Sequence, residues 1–183
     1  MYPIDAAITH WVNGLSGHSA PIDGLLVMVS AYGVPVMVLA VAAQWWIKAD
    51  RSRTRHALVA AGFSFLLGLG VNQIILLMVH RMRPYDAGIT HLLIERSADP
   101  SFPSDHATAT FAIAAAFLLH GLRVRGSLFL VAALLITFSR VYIGTHYASD
   151  VLGGALTGII AALFVRLAYW RDTRLDKLVT AIF

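Results

Sequence analysis

Five apolar runs, each closed by polar or basic residues, dictate what this 183-residue chain can become. They span roughly Leu25–Ile47, Ala57–Val79, Asp105–Leu122, Ser127–Tyr142 and Ser149–Trp170. A helix needs about 20 apolar residues to cross the hydrocarbon of a bilayer. The first, second and fifth runs meet that length. The third and fourth are short, so their outer ends are expected to lie below the membrane surface, in a hollow lined by protein. Only 13% of residues are charged, against about 25% in soluble domains. The predicted fold is all-α: a polytopic membrane helical bundle of five to six transmembrane helices. Residues 1–183 are read as a single integral-membrane domain. The chain has no cysteine, which excludes disulfides and thiolate metal sites.

The segments outside the runs read as interfacial. Residues 3–16 predict a short helix with Trp11 as its anchor, too short for a further crossing. The tail, 171–183, has an amphipathic pattern. Trp45, Trp46, Tyr169 and Trp170 fit an interface belt. Pro35 is expected to kink the first span. The glycines at 62, 68, 70, 153, 154 and 158 suit close helix packing. The start, "MYPIDAAITHWVNG", lacks a basic leader and a cleavage-like site, so no separate signal peptide is expected.

Basic residues set the orientation. Lys48, Arg51, Arg53 and Arg55 follow the first run, and Arg123 and Arg125 follow the third. Arg166, Arg171, Arg174 and Lys177 gather at the C-terminus. With five spans all of these share one side, and short loops rich in Lys and Arg stay cytoplasmic. The net charge of +4 is therefore loop charge and not a nucleic-acid surface. Arg81, Arg83, Arg96 and Arg140 fall on the opposite side and need another explanation.

Those four lie in or beside "HRMRPYD" (80–86), "PSDH" (103–106) and "SRVYIGTHYASD" (139–150). The topology brings all three segments to one face, where charge near hydrocarbon marks a polar cavity. His146 and Asp150 are four apart, so a helix starting near His146 puts them on one face. A carboxylate on one ring nitrogen leaves the other as base or nucleophile. Ser104 is a candidate N-cap, and the helix end behind it favours an anion. His106, in the first turn, can donate a proton. Arg83 and Arg140 offer bidentate guanidinium groups. The set suits phosphoryl transfer: attack by His146, protonation of the leaving oxygen by His106, then hydrolysis by water. The scheme needs no metal and no cofactor, and the arginines disfavour a bound cation.

On these residues the chain resembles the integral-membrane type 2 phosphatidic acid phosphatase superfamily, related to the vanadium haloperoxidases. The Ser-Arg-x5-His-x3-Asp motif matches at Ser139, Arg140, His146 and Asp150. Pro-Ser-Gly-His matches at Pro103, Ser104 and His106, with Asp105 in place of glycine. Lys-x6-Arg-Pro keeps Arg83 and Pro84 but has Leu76 for lysine. The resemblance implies His146 as nucleophile, Asp150 as its partner and His106 as general acid. It implies Arg83, Ser104 and Arg140 as phosphate-binding residues. Asp105 joins that group by position, its carboxylate expected to point away or pair with an arginine. His80 or Arg81 is the candidate for the missing lysine's role.

"NQIILLMVHRMRP" (72–84) and "SFPSDH" (101–106) are similar to bacterial undecaprenyl pyrophosphate phosphatases within that superfamily. The likeness implies a lipid pyrophosphate substrate, membrane lipids as surroundings, and a bacterial inner-membrane location with the site facing the periplasm or exterior. Phosphatidylglycerophosphate and phosphatidic acid are alternative substrates. A protein that binds or moves a lipid phosphate without hydrolysing it is the alternative of another class. Each motif also has a plainer reading: an N-cap for "PSDH", a structural hydrogen bond for His146 and Asp150. Arg81 and Arg96 are expected at headgroups, at pyrophosphate or in solvent, and Glu95 at the rim or beside an arginine. His10, His18, His56, His91 and His120 have no motif partners and are expected at the interface or in loops.

Overall fold

The computed structural model describes residues 3–181, and every regular element among them is helical. In order these are α1 (Pro3–Asn13), α2 (Ala20–Ala43), α3 (Arg51–Met78), α4 (Asp105–Leu119), α5 (Arg123–Tyr142), α6 (Ala148–Ala168) and α7 (Arg174–Thr180), with a 3₁₀ turn at Gln44–Trp46 after α2. The chain is an integral membrane protein. Among the described residues, α2 with its 3₁₀ turn, α3, α5 and α6 are long and apolar enough to cross a bilayer, with mean hydropathies of 1.7 to 2.3. α4, at 15 residues, is the shorter apolar helix, as its run predicts.

Several boundaries differ from expectation for physical reasons. α3 begins at Arg51 rather than Ala57. Arginine is a good helix former, and the guanidinium groups of this first turn reach carbonyls elsewhere. Arg53 donates to the Gly121 carbonyl at 2.9 Å, and Arg55 to that of Thr180 at 2.7 Å. α5 likewise starts at Arg123, which gives it 20 residues and makes it long enough to span. α2 runs through Pro35 without ending. The tail's helix is α7; residues 182–183 of the amphipathic tail lie outside the described residues.

α4 is the centre of the bundle. Ala107, Ala109, Ala112, Ala114, Ala116 and Phe117 are all essentially buried. Small side chains let neighbouring backbones approach, which is the main source of packing energy between helices in lipid. α6 uses glycine for the same end. A Cβ at Gly154 would strike the Ser104 carbonyl, and one at Gly158 that of Thr108. Thr108 bridges the helices, donating to the Gly154 carbonyl at 3.0 Å. Leu58 and Ala61 of α3, Ile136 of α5 and Met37 of α2 close the core around Ile113 and Phe117. Large apolar side chains such as Leu39, Leu66, Val131 and Leu167 remain on the outside, facing lipid.

The hairpins sort the chain into two ends. One gathers the start of α3, the end of α4, the start of α5 and α7. The other gathers α1, the segment 79–104, the start of α4, the end of α5 and the start of α6. α1 is tied there by Asn13, whose side-chain amide donates to the carbonyls of His91 (2.9 Å) and Tyr142 (2.8 Å). Its exposed Ile4, Ile8 and Trp11 form an apolar stripe at helical spacing.

Candidate active site

A cavity of about 620 Å³ opens at the second end. Arg83, Asp105, His106, Arg140 and His146 all line it. They come from four places: the loop after α3, the first turn of α4, the last turn of α5, and the turn between α5 and α6. Gly144 makes that last turn possible at φ +85°, where a Cβ would strike the His91 carbonyl. His146 follows it, 4% exposed.

Asp150 and Ser104 stand behind the wall, both fully buried. His146 Nδ1 lies 3.5 Å from Asp150 Oδ2, but its nearer partner is the Ser101 carbonyl, 2.8 Å away. The Ser101 carbonyl therefore joins Asp150 at the same ring nitrogen. The Ser101 carbonyl can only accept, so Nδ1 carries the proton and Nε2 keeps its lone pair. Asp150 Oδ2 instead accepts from Ser101 Oγ at 2.5 Å and from the Tyr147 amide at 2.8 Å. Burial pushes the His146 pKa below its ordinary value, and Arg140 and Arg83 add to that, against the hydrogen bond to Asp150. The ring is neutral at pH 7, a state in which Nε2 can act as base or nucleophile.

The guanidinium groups are held by backbone and hydroxyl oxygens. Arg83 donates to the carbonyls of Asp99 (2.8 Å) and Thr145 (3.0 Å). Arg140 donates to Ser30 Oγ at 2.5 Å, while its Nε is buried without a partner among the described residues. Ser104 sits at the N-cap of α4 with extended backbone, but its hydroxyl makes no cap bond. Its amide donates to the Asp150 carbonyl at 3.1 Å, so the turn carrying His106 is pinned to α6.

Other expectations change. Among the described residues, Asp105 pairs with no arginine. It accepts from the side-chain amides of Asn72 (2.9 Å) and Gln73 (3.4 Å), which α3 presents one turn before Leu76. Leu76 and His80 line the cavity, so His80 occupies the wall that the motif lysine would share. Arg81 turns away from the cavity. It pairs with Asp5 of α1 at 2.5 Å and with Asp150 at 2.6 Å. His56 is neither interfacial nor loop-borne: it is buried at the opposite end of the bundle, 2.8 Å from Asp176. Glu95 is exposed, and Arg96 pairs with Asp86 at 3.1 Å.

The PAP2 superfamily model matches residues 57–174, which hold all three motifs. The chain belongs to the PAP2 superfamily. It is 37% identical to undecaprenyl-diphosphatase BcrC of Bacillus subtilis, over 86% of this chain and 80% of that protein. It is 31% identical to an undecaprenyl-diphosphatase of Sulfolobus acidocaldarius, over 76% of this chain and 66% of that one. Among solved structures it resembles the Bacillus subtilis transmembrane PAP2-type phosphatidylglycerolphosphate phosphatase. The TM-score is 0.65 and the identity 22%, covering 93% of this chain and 87% of that one. At that identity the likeness concerns the fold, and it places this PAP2 chain among membrane-embedded helical bundles.

Sequence reasoning missed Ser101, Asp5 and the role of Arg81. Asp5 had one signal: it is the one acid of α1 and stands in its first turn. Ser101 had none beyond its nearness to the second motif.

Proposed function

We propose that this PAP2 enzyme, a membrane lipid phosphatase, hydrolyses a lipid pyrophosphate at the outer leaflet, with undecaprenyl pyrophosphate as its first substrate. The observation that carries this reading is the meeting of His106, His146, Arg83 and Arg140 on one cavity. His146 Nε2 attacks the terminal phosphorus, and the bond from phosphorus to the bridging oxygen breaks. His106 gives its proton to the departing lipid phosphate. Water then attacks the phosphorus of the phosphohistidine and gives a proton to His106; the bond from phosphorus to Nε2 breaks, its electron pair returns to the imidazole, and inorganic phosphate leaves. Arg83, Arg140 and the amides at the start of α4 hold the charge on the equatorial oxygens. Ser104 offers them its hydroxyl, and Asp105 holds Gln73 at the cavity wall. The Ser101 carbonyl and Asp150 steady the imidazole as it gains positive charge.

The identity to named undecaprenyl-diphosphatases supports the substrate. The basic end of the bundle, opposite the cavity, supports the orientation, because short basic loops stay cytoplasmic. The test is phosphate release in detergent, with chelator present, from the C55 pyrophosphate, phosphatidylglycerophosphate and phosphatidic acid. Fastest release from the pyrophosphate is expected. Preference for a glycerophospholipid moves the substrate assignment to that lipid. Tight binding without release makes the protein a carrier.

A further inference from the structure

Behind His146 lies a chain of contacts that runs out of the site and into α1. Asp150, fully buried, divides its two oxygens: Oδ2 holds Ser101 and the Tyr147 amide, and Oδ1 accepts from Arg81. Arg81 Nη1 also donates to Ser149 Oγ at 2.7 Å, and its Nη2 to Asp5 Oδ2 at 2.5 Å. Asp5 in turn accepts from the Ser149 amide at 2.9 Å and the Ser149 hydroxyl at 2.6 Å. The Arg81 guanidinium lies over the Tyr147 ring, 4.0 Å from its centre. Burial would raise the Asp5 pKa, but these hydrogen bonds from Ser149 and Arg81 outweigh it and keep the carboxylate ionised. Arg81 does not line the cavity, so its charge is spent on two carboxylates rather than on substrate.

We propose that Arg81 and Asp5 are positioning residues for His146, acting through Asp150 and Ser101. The inference rests on the reading of His146 as nucleophile. Without Arg81, Asp150 Oδ1 is a buried oxygen with no partner among the described residues, which costs enough that the carboxylate turns toward another donor. That turn releases Ser101, whose carbonyl fixes the proton on His146 Nδ1. α1 thereby becomes part of the working site, although it precedes the residues matched by the superfamily model.

The test uses the full chain in detergent with ¹⁵N-labelled histidine, the His146 signal being the one lost in His146→Gln. Wild type shows a single tautomer protonated at Nδ1. Arg81→Gln yields a tautomer mixture, Asp5→Asn a smaller change in the same direction, and the double variant no more than Arg81→Gln alone, because the two act in series. Arg81→Lys restores part of the wild-type signal. In the phosphate-release assay, Arg81→Gln lowers kcat by about 10- to 100-fold, as removal of an outer-shell orienting partner does, with KM within about twofold. An unchanged His146 signal in folded Arg81→Gln overturns the proposal, as does a raised KM with kcat kept, which makes Arg81 a substrate contact. Should Arg81→Gln not fold, Asp5→Asn and Ser149→Ala decide by the same two readouts. If wild type releases no phosphate, the reading of the site falls, while the tautomer measurement still decides the positioning.

Discussion

At one end of the bundle His146 sits beside Asp150; at the other His56 sits beside Asp176. Both pairs are buried, each histidine lines a cavity, and both cavities have arginines in their walls. Their geometry differs in what holds what. His56 Nδ1 is 2.8 Å from Asp176 Oδ1, and that same oxygen accepts from Tyr169 Oη at 2.5 Å. Tyr169 stacks on the His56 ring at 4.7 Å, and His120 meets it edge-on at 5.0 Å. The arginines there are engaged locally, Arg53 with the Gly121 carbonyl and Arg171 with Asp172. His56 is a clamp between α3 and α7. Asp150 is instead held by Arg81, Ser101 and the Tyr147 amide, with His146 Nδ1 at 3.5 Å. A histidine that must change charge is better served by a scaffold held by other groups than by one it has to hold itself.

The widest gap between the pairs is expected in turnover. His146→Gln lowers phosphate release by about 10⁴-fold or more, as loss of a nucleophile does, while His56→Gln leaves kcat within about threefold. Equal losses in the two variants would end the distinction. Next in size is stability. Asp176→Asn keeps one acceptor oxygen and turns the other into a donor, so either the Asp172 amide or the His56 and Tyr169 donors lose their partner. It is expected to cost about 1–3 kcal/mol, read as a lower melting temperature with turnover kept. Burial alone would raise the Asp176 pKa, but those hydrogen bonds hold it below the usual carboxylate value. Its stabilisation is therefore present above the unfolded carboxylate value of about 3.9 and lost as pH falls through the lower folded value. Asp176→Asn removes that part of the acid sensitivity. The smallest effect is in the pH profile. Because burial and the two guanidinium groups lower the His146 pKa, the acid limb of kcat/KM falls below about 6.5, the value of a free imidazole.

The helices and the three motifs were legible in the sequence, because hydropathy and spacing are local properties. Arg83, His106, Arg140 and His146 reached one cavity as the topology required. What stayed hidden are partners far apart in the chain: Arg81 with Asp5, 76 residues away, and His56 with Asp176, 120 away. No periodicity encodes such pairs. The carboxylate of Asp105 misled for a related reason. A charge beside a phosphate site suggests a cation partner, yet Asn72 and Gln73, polar residues on the α3 face toward α4, neutralise its hydrogen-bonding demand without charge.

The length of α4 has a further consequence. Fifteen residues rise about 22 Å, against about 30 Å of hydrocarbon. Counted from its end near Arg53, the helix stops well short of the far boundary, so His106 works at a depth where lipid tails already begin. Under the proposed function, a site at that depth lets the lipid substrate arrive sideways from within its own leaflet, with its tail dissolved in the membrane throughout. The two products part by solubility: the shortened lipid diffuses off in the plane, while the freed phosphate leaves through the wet mouth above. That physical parting makes recombination improbable.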